Sequence, residues 1–241
     1  MKNYNKVYKS SEIYKFYSTN RNKWSDFYKS ERKIISLLKF KKNSSILDIG
    51  SACGGLGVVL KKRYGIIKYT GIEINKKAHN YAKIINKNFR FYNEDLLNFE
   101  KNKKYKSKYD FVFSLGCVDW NFEIDNMLKK AWKHVKNNGF LIVTLRITDE
   151  KKKEKSYQYI NFSKKLKGET AHYHVITLDD LSKKLSVLNF SKVVSYGYWG
   201  KPSKTVITKY KKIFFLALAL KKNDKSNLKN FNLKNIIQLH K

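Results

Sequence analysis

The stretch from Ser44 to Gly57, S-S-I-L-D-I-G-S-A-C-G-G-L-G, limits the fold more than any other part of this chain. Ile46 to Ile49 is apolar apart from Asp48 and reads as a short buried strand. The glycines after it let the backbone turn sharply, and Leu56 onward reads as the start of a helix. Strand, glycine-rich turn and helix in that order bring bare backbone N–H groups to a helix N-terminus, where a carboxylate or other anionic group can approach closely. Asp48 stands at the end of the strand, beside that turn.

The same strand-and-helix unit recurs along the next ninety residues. A helix over Leu56–Tyr64 stops at Gly65, and Ile66–Ile74 is a second strand ending in Glu73. A periodic helix over Lys76–Asn86 leads to a short strand, Phe89–Tyr92, and at once to Asn93-Glu94-Asp95-Leu96. Tyr109–Leu115 is apolar on both faces, as a central parallel strand should be. A helix over Asn121–Lys136 is broken by Asn137-Asn138-Gly139, and Phe140–Leu145 is a fifth strand. This alternation predicts a doubly wound α/β sheet. The pattern lapses from Thr148 to Val175, then a helix begins near Thr177-Leu178-Asp179-Asp180. Phe190–Tyr198 and Tyr210–Leu220 are two strands with no helix between them, which predicts an antiparallel hairpin at the sheet edge. The expected fold is therefore a seven-stranded, mostly parallel Rossmann-like sheet with that terminal hairpin.

The remaining segments divide the chain. Within an N-terminal unit of residues 1–40, residues 1–30 hold many aromatics and few aliphatics, which reads either as a helical extension packed on the domain or as a lid whose aromatics and Arg21 cover a ligand. Ser30 then starts a helix expected to bury Ile34, Ile35, Leu37 and Leu38. Residues 41–222 form the main domain, with a cap inserted at about 148–176 that carries Tyr157, Tyr159, Phe162, His172, Tyr173 and His174. Residues 223–241 are a polar tail, either a short docking helix or disordered.

A net charge of +33 suggests a partner rich in phosphate. Only five of the 52 basic residues are Arg, the Lys residues are spread along the whole chain, and Lys, Asn and Ile are abundant together. That pattern reads as compositional background, so nucleic acid is not the favoured partner. Cys53 and Cys117 make no disulfide framework or zinc cluster, and no metal site is expected. The N-terminus has no apolar signal core, and the longest apolar run, Ile213–Leu220, is too short to span a bilayer, so a cytoplasmic location is expected.

Asp48, Glu73 and Asp95 each close a strand at the carboxyl edge, where open α/β sheets bind ligands. Glu73 is placed to accept both hydroxyls of a ribose, and Asp95 to accept from an adenine amino group with Leu96 supplying a backbone donor. Asp48 and the Gly50–Gly54 backbone would then face an amino-acid moiety. Gly50-x-Ala52-x-x-Gly55 also approximates a dinucleotide fingerprint, but a carboxylate at Asp48 would crowd a pyrophosphate and suits an ammonium.

The succession D-I-G-S-A-C-G-G, G-I-E-I, N-E-D-L and Y-D-F-V-F-S-L-G resembles the class I S-adenosylmethionine-dependent methyltransferases over roughly residues 44–220. The terminal hairpin is similar to the antiparallel seventh strand of that family. Ala52 stands where the family usually has a glycine. The resemblance implies S-adenosyl-L-methionine as cofactor, held by Asp48, Gly50, Ser51, Ala52, Gly54, Glu73, Ile74, Asp95, Leu96 and Ser114. It implies methyl transfer and says nothing of the acceptor. A covering lid and an aromatic cap point to an enclosed site and so to a small or mid-sized acceptor methylated at oxygen or nitrogen, with RNA methylation and a non-catalytic cofactor-binding scaffold on an acidic surface as alternatives.

No Asn/Asp-Pro-Pro-aromatic motif stands after the fourth strand, which disfavours methylation of nucleobase amines. Cys117 has no preceding proline and reads as an inert thiol. Asp119 and Trp120 come just after that strand and are candidates for the acceptor pocket, with Arg21, Trp24, Tyr157, Tyr159 and Tyr173 as further walls. Should the acceptor need a general base, His172, His174 and Asp119 are the candidates. His79, His134 and His240 read as surface residues.

Overall fold

The computed structural model describes residues 6–99, 107–150, 154–161, 168–223 and 237. In chain order its helices are α1 (Ser11–Tyr17), α2 (Lys29–Leu37), α3 (Gly55–Tyr64), α4 (Lys76–Ile85), α5 (Leu96–Phe99), α6 (Ile124–Lys133) and α7 (Leu178–Leu185). Its strands are β1 (Ser45–Ile49), β2 (Lys68–Ile72), β3 (Arg90–Tyr92), β4 (Tyr109–Ser114), β5 (Val135–Thr148), β6 (Tyr157–Tyr159), β7 (Thr170–His172), β8 (Ile176–Thr177), β9 (Phe190–Gly200), β10 (Val206–Ile207) and β11 (Ile213–Lys222).

The main sheet runs β3-β2-β1-β4-β5-β11-β9. β1 to β5 pair in parallel, and β11 is inserted antiparallel to both β5 and β9. Side chains alternate between two apolar layers, as period-two strands buried on both faces must. Ile46, Phe111, Phe113 and Ile142 pack on the side of α2 and α3, while Leu47, Val112, Leu141 and Val143 pack on the side of α6 and α7.

The expected fold holds, with additions. An eighth strand, β8, pairs with β5 through Ile147↔Ile176 and Thr148↔Thr177, along the edge that β4 leaves at Ser114. β5 itself begins at Val135, not Phe140, because Val135 pairs with Tyr109 and the Asn138–Gly139 turn sits inside the strand as a register shift. Asn138 adopts φ 63°, and a Cβ at Gly139 would stand 2.8 Å from the Asp110 carbonyl oxygen, so the break seen in sequence is a bulge. Part of the inserted segment joins the β9–β11 connection in a small antiparallel sheet, β10-β6-β7. The two- and three-residue strands β6, β7, β8 and β10 carry too little alternation to be read from sequence, whereas β3, equally short, is marked by its place between a periodic helix and an acid. Phe162, His240 and the tail lie outside the described residues, apart from Asn223 and Ile237. Ile237 is buried in the α6–α7 layer. His79 and His134 are buried instead of on the surface, His134 with its Nδ1 3.2 Å from the Ser107 carbonyl oxygen.

Candidate active site

β1, β2 and β3 end along one edge of the sheet, and a cavity of about 1070 Å³, including its open mouth, lies beyond them. Asp48, Ile49, Gly50, Ser51, Ala52 and Cys53 line it from β1 and its turn, Glu73 and Ile74 from the end of β2, and Glu94, Asp95 and Leu96 from the end of β3. The turn is held by the neighbouring strand, since the N–H groups of Gly50 and Ser51 both donate to the Ile72 carbonyl oxygen, at 2.9 and 3.0 Å. Gly50, Ala52 and Gly54 have φ of 72°, 46° and 77°, a left-handed run that turns the backbone back over the sheet edge. Glycine is needed at Gly50, where a Cβ would lie 2.6 Å from the Cys117 sulfur.

The acids are buried. The Tyr69 hydroxyl donates to Asp48, and burial pushes the Asp48 carboxyl up to about 6 despite that bond. Glu73 accepts from the Ala52 N–H at 2.8 Å and the Asn75 N–H at 2.7 Å, and burial raises it to about 7. Neither has a cationic side chain bonded to it among the described residues. Asp95 caps α5 by accepting from the Leu97 N–H at 2.9 Å. The hydroxyl of Ser51 is buried in the turn with no hydrogen-bond partner among the described residues.

The N-terminal segment forms the opposite wall, with Tyr8, Ile13, Tyr17, Asn20, Arg21 and Phe27 lining the cavity. Asn75 ties it down, donating from Nδ2 to the carbonyl oxygens of Tyr8 and Ser10 at 3.0 and 2.8 Å. Arg21 has φ 61° and rests its carbonyl on Gly55, while its guanidinium meets Glu31 at 3.1 and 3.0 Å. Leu115, Gly116, Cys117, Trp120, Asn121 and Met127 complete the wall after β4.

A family profile described as a methyltransferase domain matches residues 40–196, more than half of the chain. The chain belongs to this family, the class I S-adenosylmethionine-dependent methyltransferases. It is 27% identical over 183 residues to the phosphoethanolamine N-methyltransferase of Plasmodium falciparum, covering 70% of this chain and 63% of that protein. It is 30% identical over 141 residues to the ribosomal RNA small subunit methyltransferase G of Mycoplasma capricolum, covering 58% of this chain and 56% of that protein. The chain thus spans less than two thirds of the length of these curated relatives. Phosphoethanolamine N-methyltransferase 2 of Haemonchus contortus, solved with phosphomonomethylethanolamine and S-adenosylhomocysteine, shares the fold at a TM-score of 0.55 and 12% identity, over 79% of this chain and 51% of that one.

The cavity of this family member has a chemistry that suits the family's cofactor, S-adenosyl-L-methionine. Two buried carboxylates without a bonded cation match an ammonium and hydroxyl groups, and the orphaned Ser51 hydroxyl and left-handed backbone match a polar ligand in close approach.

Of the residues expected to hold that cofactor, Gly54 and Ser114 lie off the cavity wall. Gly54 caps α3 and its carbonyl oxygen accepts from Asn86, while Ser114 is buried and accepts from the Val118 N–H at 3.2 Å. Among the acceptor-side candidates, Arg21 and Trp120 line the cavity. Trp24 lies off the cavity wall, half-buried against the layer of α2 and α3 with the Arg63 guanidinium 4.5 Å from its ring centre, and Tyr157 and Tyr159 belong to the small sheet. Asp119 is buried below Trp120 and pairs with Arg146 at 2.6 Å, and Tyr173 lies against the same guanidinium at 3.7 Å. His172 and His174 stack on each other at 5.6 Å, and His174 lines a separate groove between α6 and α7. Burial holds both imidazoles below the usual histidine value, and hence neutral near pH 7.

Sequence reasoning does not single out Tyr8, Tyr17, Phe27, Glu31 and Arg146 as parts of one site. Arg146 carries a signal, as the lone charge in the strand Phe140–Ile147. Tyr8, Tyr17 and Phe27 carry only the general signal of an aromatic-rich lid, because which of its rings reach the cavity depends on where a short helix docks. Among the described residues no cluster of His, Cys, Asp and Glu is arranged to hold a metal, and no helix is long and apolar enough to cross a membrane.

Proposed function

We propose that the protein transfers the methyl group of S-adenosyl-L-methionine to a nitrogen or oxygen of a small or mid-sized acceptor held under its N-terminal segment. The observation that carries this reading is the cavity wall itself: the sheet edge on one side is faced by Tyr8, Tyr17, Phe27 and Trp120 on the other, an enclosed site of single-molecule size. Asp48 and the Gly50–Gly54 turn hold the amino-acid end of the cofactor, Glu73 its ribose, and Asp95 with the Leu96 N–H its adenine. Bound there, the cofactor supplies a methyl carbon made electrophilic by its sulfonium.

The protein's own contribution is orientation and exclusion of water. Holding two reactants in line supplies much of the rate of a direct displacement. The buried carboxylates favour a positively charged ligand and weaken the hold on a product that has lost its charge. With His172 and His174 outside the cavity wall, no histidine of the described residues acts as base there.

A second reading, methylation of RNA, is favoured by the net charge of +33. Calorimetric titration with S-adenosylhomocysteine and with NADH, together with transfer of labelled methyl into small-molecule and RNA pools, tests both. Binding of S-adenosylhomocysteine and label in the small-molecule pool are expected. Label confined to RNA supports the second reading, and binding of NADH alone overturns both.

A further inference from the structure

The cavity reverses the charge of the chain around it. The protein has 52 Lys and Arg against 19 Asp and Glu, yet among the described residues no lysine lines the cavity, whereas Asp48, Glu73, Glu94 and Asp95 do. Arg21 is the one cation among those lining residues, and Glu31, fully buried, takes both of its terminal nitrogens. Arg146, the next guanidinium behind the wall, is 5.8 Å from the centre of the Trp120 ring and is held by Asp119 at 2.6 Å, with Tyr173 over its face.

Each arginine with its acid is neutral as a unit. Drawing either guanidinium away to a ligand would strand a buried carboxylate, which is strongly unfavourable. A phosphate or carboxylate on the acceptor therefore finds no unpaired side-chain cation among the described residues lining this cavity. Of its four acids Asp48, Glu73 and Asp95 serve the cofactor in the reading above, which leaves Glu94. The wall contributed by the N-terminal segment and by the turn after β4 is aromatic, with Tyr8, Tyr17, Phe27 and Trp120. Aromatic faces attract ammonium groups and leave anions unsatisfied.

Resting on the methyl-transfer reading above, we infer that the acceptor is an amine that carries no phosphate or carboxylate. An alkylammonium is drawn in by the aromatic rings and gives up a proton to water to become the nucleophile. Its nitrogen lone pair then forms the new N–C bond as the S–C bond of the donor breaks. The sulfur keeps that electron pair and leaves uncharged, and the positive charge passes to the methylammonium product.

The test uses the full-length protein, labelled S-adenosylmethionine, and ethanolamine, tyramine, phosphoethanolamine and phenol as acceptors, with S-adenosylhomocysteine binding measured in parallel. Turnover of at least one unphosphorylated amine should exceed that of phosphoethanolamine by about tenfold or more at equal concentration. Glu31→Gln keeps an acceptor for the Tyr28 N–H, which Glu31 binds at 2.8 Å, while releasing the charge of Arg21. That variant should narrow the preference by about tenfold, the equivalent of one freed charge contact. Preference for phosphoethanolamine or phenol, methylation of none of the four, or an unchanged preference in a folded Glu31→Gln protein would overturn the inference while leaving the cofactor reading intact. Failure to bind S-adenosylhomocysteine would overturn both. Should Glu31→Gln fail to fold, the wild-type ratio alone decides.

Discussion

The guanidinium of Arg146, near the end of β5, is ion-paired at 2.6 Å with the carboxylate of Asp119, two residues inside the turn that carries the cavity wall. Both are buried, and Tyr173, just after β7, lies 3.7 Å from the same guanidinium. One side chain thus joins the central sheet, the wall after β4 and the inserted segment.

Breaking this pair should be costly, and removing it whole should be less so. Asp119→Ala leaves a buried, uncompensated arginine and should lower unfolding free energy by about 3–5 kcal/mol. Asp119→Ala combined with Arg146→Met should recover a good part of that loss, because the unpaired charge is gone. Urea unfolding of both variants and of Arg146→Met alone completes the double-mutant cycle. Equal destabilisation of the double and single variants would show that the pair does not act as a unit.

The glycine-rich turn makes a residue-by-residue test of backbone strain. Ala52 sits at φ 46°, a region that disfavours any residue with a Cβ by roughly 1–2 kcal/mol. Ala52→Gly relieves that strain but loosens the unfolded chain by about 0.4–1 kcal/mol, so stability should stay level or rise slightly. Gly50→Ala meets the Cys117 sulfur as well as the left-handed backbone and should destabilise by at least about 2 kcal/mol. Thermal denaturation of the two proteins should separate them by several degrees; matching midpoints would sink the account.

Asp48 and Glu73 make the ligand-free protein less stable as pH rises. Their carboxyls are pushed up to about 6 and about 7 by burial, above their unfolded values of 3.8 and 4.5. The folded state therefore holds more protons, and the stabilisation present below pH 4 is lost as pH climbs to 7, by roughly 3 kcal/mol for each acid. Asp48→Asn should flatten the fall in melting temperature between pH 4.5 and 7 relative to the native protein. S-adenosylhomocysteine affinity should move the other way, strengthening as the acids ionise to meet its ammonium. A parallel slope in Asp48→Asn would rule out this residue as a cause.

Gly55 is the seat of the N-terminal segment. A Cβ there would lie 2.0 Å from the Arg21 carbonyl oxygen, a backbone atom that cannot swing aside. Gly55→Ala should lift the segment from α3 and speed release of S-adenosylhomocysteine by about tenfold with less change in association. Stopped-flow displacement measures the rate, and an unaltered rate would mean that the segment does not gate the cofactor.

The sheet and the cofactor edge were legible because local chemistry repeats there. Continuous apolar strands, a glycine turn and acids at three successive strand ends are each short-range patterns, and they determined the α/β architecture, the antiparallel final strand and the positions of Asp48, Glu73 and Asp95. β6, β7, β8 and β10, of two or three residues each, offered no such periodicity. They form because partners distant in sequence supply the missing hydrogen bonds, as Val206 does for Gln158.

The acceptor side obeyed a different rule. His172 and His174, plausible by chemistry, lie off the cavity wall, His172 in the small sheet and His174 in a separate groove, while Tyr8 reaches the cavity where Asn75, 65 or more residues away, anchors the backbone of Tyr8 and Ser10. Whether Arg21 and Arg146 present free positive charge was likewise undetermined by composition. Only the folded chain brings Glu31 and Asp119 against them, since charge pairing at 3 Å depends on position in space and not on how many lysines and arginines a sequence contains.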